Sequence, residues 1–114
     1  MKITDLTLDD VKQEVFNSVT SFPYSDRIIK VGLFGSFARG EADEKSDLDF
    51  VIDFKYKYNT APENLDETRH YFMFEEVLQK AFAPTELSIV SLNGLKPNSD
   101  FKEQVEKDVV WIYG

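Results

Sequence analysis

At 114 residues the chain has the length of one domain. With 42% hydrophobic and 14% aromatic residues, it has the composition of a packed protein and not of a disordered one. A net charge of −8 argues against an extended nucleic-acid footprint, which needs clustered Lys and Arg. The absence of cysteine removes disulfides and thiolate metal sites. No run approaches the roughly 18 apolar residues of a membrane span, and residues 1–5 lack the apolar core of a secretory leader, so a cytoplasmic location is expected.

Thr7 with Asp10 three residues later reads as a helix cap. Leu8, Val11, Val15 and Val19 then fall on one face, predicting an amphipathic helix over 8–20. The run 22–26 breaks it at Pro23. Ile28, Ile29, Val31, Leu33 and Phe34 form a β-branched-rich strand ending at Gly35. Residues 36–39 read as a short helical turn, 40–45 as a polar loop and 47–54 as a second strand. Thr60, Pro62 and Glu63 make a second helix start. Tyr71, Phe74, Leu78 and Phe82 extend that helix to 82, before Pro84. Residues 86–90 alternate as a strand, and Asn93-Gly94 is a turn. Ser99 or Asn98 caps a last helix carrying Phe101, Val105 and Val109. The apolar run 110–113 is ambiguous between helix and strand. This order predicts an α/β or α+β domain: a small mixed β-sheet flanked by helices.

The chemistry concentrates at Gly35-Ser36-Phe37-Ala38-Arg39-Gly40 and Ser46-Asp47-Leu48-Asp49. Ten residues, 37–46, separate the Gly-Ser pair from the Asp-x-Asp pair. Two carboxylates one residue apart on a strand point to the same side. Such a pair suits hard divalent cations, which prefer carboxylate oxygens. Gly35 lets phosphate approach the backbone. Ser36 offers a hydroxyl and an N–H at a helix start. Arg39, one turn on, is a candidate phosphate ligand or a structural ion-pair partner. Transfer of a nucleotidyl group expels pyrophosphate and builds charge on the attacking and leaving oxygens, which two metal ions about 3.5–4 Å apart can stabilise. Asp53 shares the parity of Asp49 but lies about 13 Å along the strand, so it reads as a surface acid. Glu86 opens a later strand and is the candidate third carboxylate, binding metal and helping to deprotonate an incoming hydroxyl.

This constellation resembles the nucleotidyltransferase superfamily of DNA polymerase β, and within it the minimal nucleotidyltransferases. The resemblance implies a nucleotidyltransferase fold, with Asp47 and Asp49 binding Mg²⁺ and Gly35 and Ser36 holding the triphosphate of ATP. The family's third acid is usually an Asp on a later strand, where this chain has Glu86-Leu87. Many members are antitoxins of HEPN-domain toxins and transfer AMP to a toxin tyrosine. The implied function is therefore Mg²⁺-dependent transfer of AMP to an acceptor hydroxyl on a partner HEPN toxin. The alternatives are a non-catalytic antitoxin that only binds its partner, and a small-molecule transferase of the aminoglycoside type. The lone His70 reads as a surface or partly packed residue, and Glu41, Asp43 and Glu44 as a solvated loop.

Overall fold

In the computed structural model, residues 2–55, 65–95 and 99–114 are described. The expected helix start at Thr60, Pro62 and Glu63, and Asn98 as a cap, lie outside them. Helix α1 (Leu8–Ser21) opens on a reciprocal capping box. The Asp10 N–H donates to Thr7 Oγ1 at 3.1 Å, and the Thr7 N–H donates to Asp10 Oδ2 at 2.9 Å. Val11, Val15 and Val19 are fully buried, whereas Leu8 at the head of the predicted face stays partly exposed.

Strand β1 (Ile28–Phe34) leads into a one-turn helix α2 (Gly35–Ala38), then β2 (Leu48–Phe54). Helix α3 (Leu65–Phe82), β3 (Leu87–Ser91), α4 (Asp100–Asp108) and β4 (Val110–Tyr113) follow. The strands form one sheet in the order β3-β2-β1-β4. Strand β1 is antiparallel to both β2 and β4, whereas β2 and β3 run parallel. The sheet is mixed, as expected.

Strand alternation divides the core between the two faces. Val31, Leu33, Leu48, Phe50, Ile52 and Phe54 pack against the valines of α1 and against Phe74, Leu78 and Phe82 of α3. Burying each large side chain contributes roughly 1.5–3 kcal/mol relative to exposure. On the other face Phe34 and Val51 meet Val105 of α4, with Val90, Val109 and Trp111 around them.

The ambiguous C-terminal run is a strand. Helix α4, capped by Ser99 (Lys102 N–H to Oγ, 3.1 Å), ends at Asp108. Val109 is extended, not helical as predicted, and begins the return to β1. The pairing works because Gly32 has no side chain: a Cβ there would lie 2.6 Å from Val109 Cγ2 and 2.8 Å from Trp111 Cε3. His70 is partly packed, stacked on the Tyr24 ring with centroids 3.6 Å apart.

Candidate active site

Strand β1 delivers the Gly-Ser turn to the carboxylates directly. Its last residue, Phe34, stands opposite Asp49 of β2. Gly35 then turns the chain into α2 with φ +74°, the left-handed region open to glycine. A Cβ built on Gly35 would overlap the Asp49 carboxylate. Both its dihedral and its neighbour therefore require glycine here. No side chain caps α2 at Phe34, and the first N–H groups of a helix have no intrahelical partner.

Leu48 is fully buried toward α1 and α3, so Asp47 and Asp49 on either side of it project to the opposite face. The preceding loop holds itself in shape. Asp43 accepts from the Lys45 N–H at 2.9 Å and from the Ser46 hydroxyl at 3.2 Å, and its own N–H donates to Ser46 Oγ at 2.9 Å. Asp43 thus does more than solvate the loop: it sets the entry to Asp47. Burial pushes the Asp49 carboxyl upward, and repulsion from Asp47 adds to it, while Arg39 opposes both. The pair is therefore short of positive charge, the condition a bound cation relieves.

The structure places the remaining predicted residues around this centre differently. Arg39 lies near Asp49, but its guanidinium is committed elsewhere. Its Nη1 donates to Asp108 Oδ2 at 2.7 Å and its Nε to Glu41 Oε2 at 3.2 Å, tying α2 to the end of α4. Of its two expected roles, the structural pairing is the one observed. Glu86 precedes β3, and its carbonyl accepts the Leu48 N–H at 3.0 Å. Its side chain is exposed, and it shares a groove at this end of β2 with Asp47. The residue paired with Asp49 across the parallel ladder is Ser88. A groove of about 630 Å³ passes the outer end, lined by Lys45, Asp47, Thr85 and Glu86 together with the first turn of the chain. Asp53, paired with Lys30 at the far end of β2, stands apart from the centre.

Residues 14–112 match the family model of the nucleotidyltransferase domain. The chain belongs to this family. Its relatives include the protein adenylyltransferase MntA of Thermococcus cleftensis, 27% identical over 94% of this chain and 97% of the relative. A Methanocaldococcus jannaschii protein described as a protein adenylyltransferase is 24% identical over 93% and 98%. Among solved structures, one described as a minimal nucleotidyltransferase is 30% identical over 96% of this chain and 95% of that one, with TM-score 0.54. A toxin–antitoxin structure with AMP-PNP shares the fold at TM-score 0.63 and 17% identity, over 90% and 73%.

The nucleotidyltransferase family implies a divalent metal, and the residues of this chain fit one. Asp47 and Asp49 supply hard oxygen donors on one face, and the missing side chain of Gly35 leaves the room that the Asp49 carboxylate takes beside the turn. Among the described residues, no three His, Cys, Asp or Glu side chains stand together as a ready-made metal cage. Two members of this neighbourhood escaped the sequence reading. Asp108 lies 69 residues from Arg39 and carries no local signal of the pairing. Ser88 was legible in principle, because it has the parity of Glu86 on the same strand, but only the register says which of the two faces Asp49.

Proposed function

We propose that this nucleotidyltransferase transfers AMP from ATP, with Mg²⁺, to a hydroxyl of a partner protein, a tyrosine of a HEPN-domain toxin. The observation that carries the reading is the direct contact between the Gly35 turn and the Asp49 carboxylate. It joins a phosphate-suited backbone to a metal-suited carboxylate pair. The MntA relative, named a protein adenylyltransferase, supports protein as the acceptor class. The toxin–antitoxin fold neighbour agrees with a toxin as that protein.

Asp47 and Asp49 would hold the metal, which when bound neutralises charge on the phosphates and on the reacting oxygens. Gly35 and the Ser36 N–H and hydroxyl would hold the triphosphate against β1. The acceptor oxygen bonds to the α-phosphorus, the bond to the bridging oxygen of the β-phosphate breaks, and pyrophosphate leaves. The hydroxyl proton passes to a carboxylate at the outer end. Glu86, exposed at the groove, would be the acid that takes it. Arg39 would act mainly by fixing α2 on α4, and so the position of the turn.

The test is transfer of label from [α-³²P]ATP with Mg²⁺ to the protein encoded beside this one. Label on a tyrosine of the neighbour, lost with Asp47→Asn, is expected. If no label transfers and Asp47→Asn still neutralises the neighbour, inhibition works by binding alone.

A further inference from the structure

Strand register arranges the centre as two rungs. On the outer rung, Asp47 and Glu86 flank the Leu48 N–H to Glu86 carbonyl bond. On the inner rung, Asp49 is paired with Ser88 across the parallel ladder. Residues paired across neighbouring strands project to the same face, with strands about 4.8 Å apart. The core assignments agree independently. Leu87 and Ile89 pack toward α1 and α3, while Val51 and Val90 pack on the opposite face. Ser88 therefore shares the face of Asp49. Glu86 lies one pleat repeat back, roughly 6.6 Å along its strand. An acid beside Asp49 would have to occupy position 88, and a neutral hydroxyl stands there.

We propose that Ser88 stands where a third carboxylate would close the metal centre, so that the nucleotide-free protein holds a divalent cation weakly and acquires it as the cation–nucleoside triphosphate complex. Cation affinity at oxygen sites follows the number of charged ligands. Two carboxylates supply fewer charges than three, and the triphosphate brings its own. Ser88 thus makes occupancy of the centre depend on the nucleotide. The inference rests on the nucleotidyltransfer reading and extends it to how the site is loaded.

The experiment measures Mn²⁺ binding to the full chain by electron paramagnetic resonance, with and without AMP-PNP. Wild-type protein is expected to bind Mn²⁺ at least about ten-fold more tightly with AMP-PNP present, and Ser88→Asp to tighten nucleotide-free binding by about ten-fold or more, as added ligand charge does. Ser88→Asn, neutral and of similar size to Asp, should leave it unchanged. Unaltered Mn²⁺ affinity in a folded Ser88→Asp protein overturns the role of position 88. Equal tightening by Ser88→Asn does the same.

A second variant covers the case in which three clustered carboxylates prevent folding without metal. Ser88→Cys is nearly isosteric and places a unique thiol in a chain that has no cysteine. Cd²⁺ should give a thiolate–metal absorption band in this variant, because thiolate is a soft ligand. The band's Cd²⁺ midpoint should rise about ten-fold or more when Asp49→Ala removes the shared oxygen donor. A midpoint indifferent to Asp49 overturns the proposal. If wild-type protein binds no Mn²⁺–AMP-PNP at all, the nucleotidyltransfer reading itself falls. If it binds the complex and the position-88 variants behave alike, only the loading inference falls.

Discussion

Replacing Gly35 by alanine tests the contact on which the site depends. Alanine at φ +74° carries a left-handed penalty of about 1–2 kcal/mol. The new Cβ would also overlap the Asp49 carboxylate, forcing that side chain away from its rotamer at a further cost of about 0.5–1.5 kcal/mol. Together the two effects destabilise Gly35→Ala by about 2–3 kcal/mol, or roughly 10 °C in Tm for a chain of this size. The two causes separate in a double-mutant cycle. Asp49→Ala removes the overlapping carboxylate and keeps Asp49 Cβ, which lies at an ordinary 3.4 Å from the added methyl. In that background Gly35→Ala should cost only the dihedral penalty, leaving a coupling energy of about 1 kcal/mol. Urea denaturation of the four proteins at pH 7 without divalent cations measures it. An identical cost of Gly35→Ala in both backgrounds would refute the overlap, and with it the claim that turn and carboxylate touch.

Five further outcomes follow from the same structure. Asp49→Asn should raise the Tm of the metal-free protein at pH 7, because burial and Asp47 disfavour the charged carboxylate. The same variant should abolish the Tm increase that Mg²⁺ and AMP-PNP give the wild type. Since the Asp49 carboxyl is pushed up on folding, its contribution falls as pH rises above about 4 through its titration, and Asp49→Asn should remove that slope from a Tm–pH series. Asp108 has the opposite sign: Gln104 and Arg39 hold it below the usual carboxylate range. Its stabilisation is present above about pH 4 and is lost on further acidification, so Asp108→Asn should flatten the acid limb of the same series. Phe82→Ala, at a fully buried ring 5.6 Å from Phe50, should cost about 3–5 kcal/mol in chemical denaturation.

Elements were legible where local chemistry alone decides them. Thr7 and Asp10 cap α1 through contacts within four residues, and Tyr71, Phe74, Leu78 and Phe82 share one side of a single helix. Phe34-Gly35 and Asp47-x-Asp49 were legible because a strand end and a strand parity are short-range properties. The β4 strand was not, since four apolar residues suit either helix or strand. What selects the strand is Gly32, nearly eighty residues earlier, whose missing side chain admits Val109 and Trp111. The third-acid position, read from the sequence as Glu86, depends on the same kind of long-range information. Parity puts Glu86 and Ser88 on one face, but only the β2–β3 register puts Ser88 level with Asp49. Arg39 gave two readings until Asp108 came within 2.7 Å.

The two glycines of β1 and its turn separate packing from function. Gly32 satisfies the fold: its empty position is filled by Val109 and Trp111, and the Lys30 ammonium lies 4.0 Å from the Trp111 ring centre. Gly35 stands at the opposite kind of place. Within one strand crossing the chain combines a left-handed turn, two acids on one face and a carboxyl whose charge the surroundings resist. Unfavourable features persist where function needs them and where the surrounding packing is strong enough to hold them. Here the buried Leu48 and Phe50 anchor the strand on both sides of Asp49. The acid is thus held in place by its neighbours in the chain and disfavoured by its own charge, which is the arrangement that a cation–triphosphate complex would stabilise.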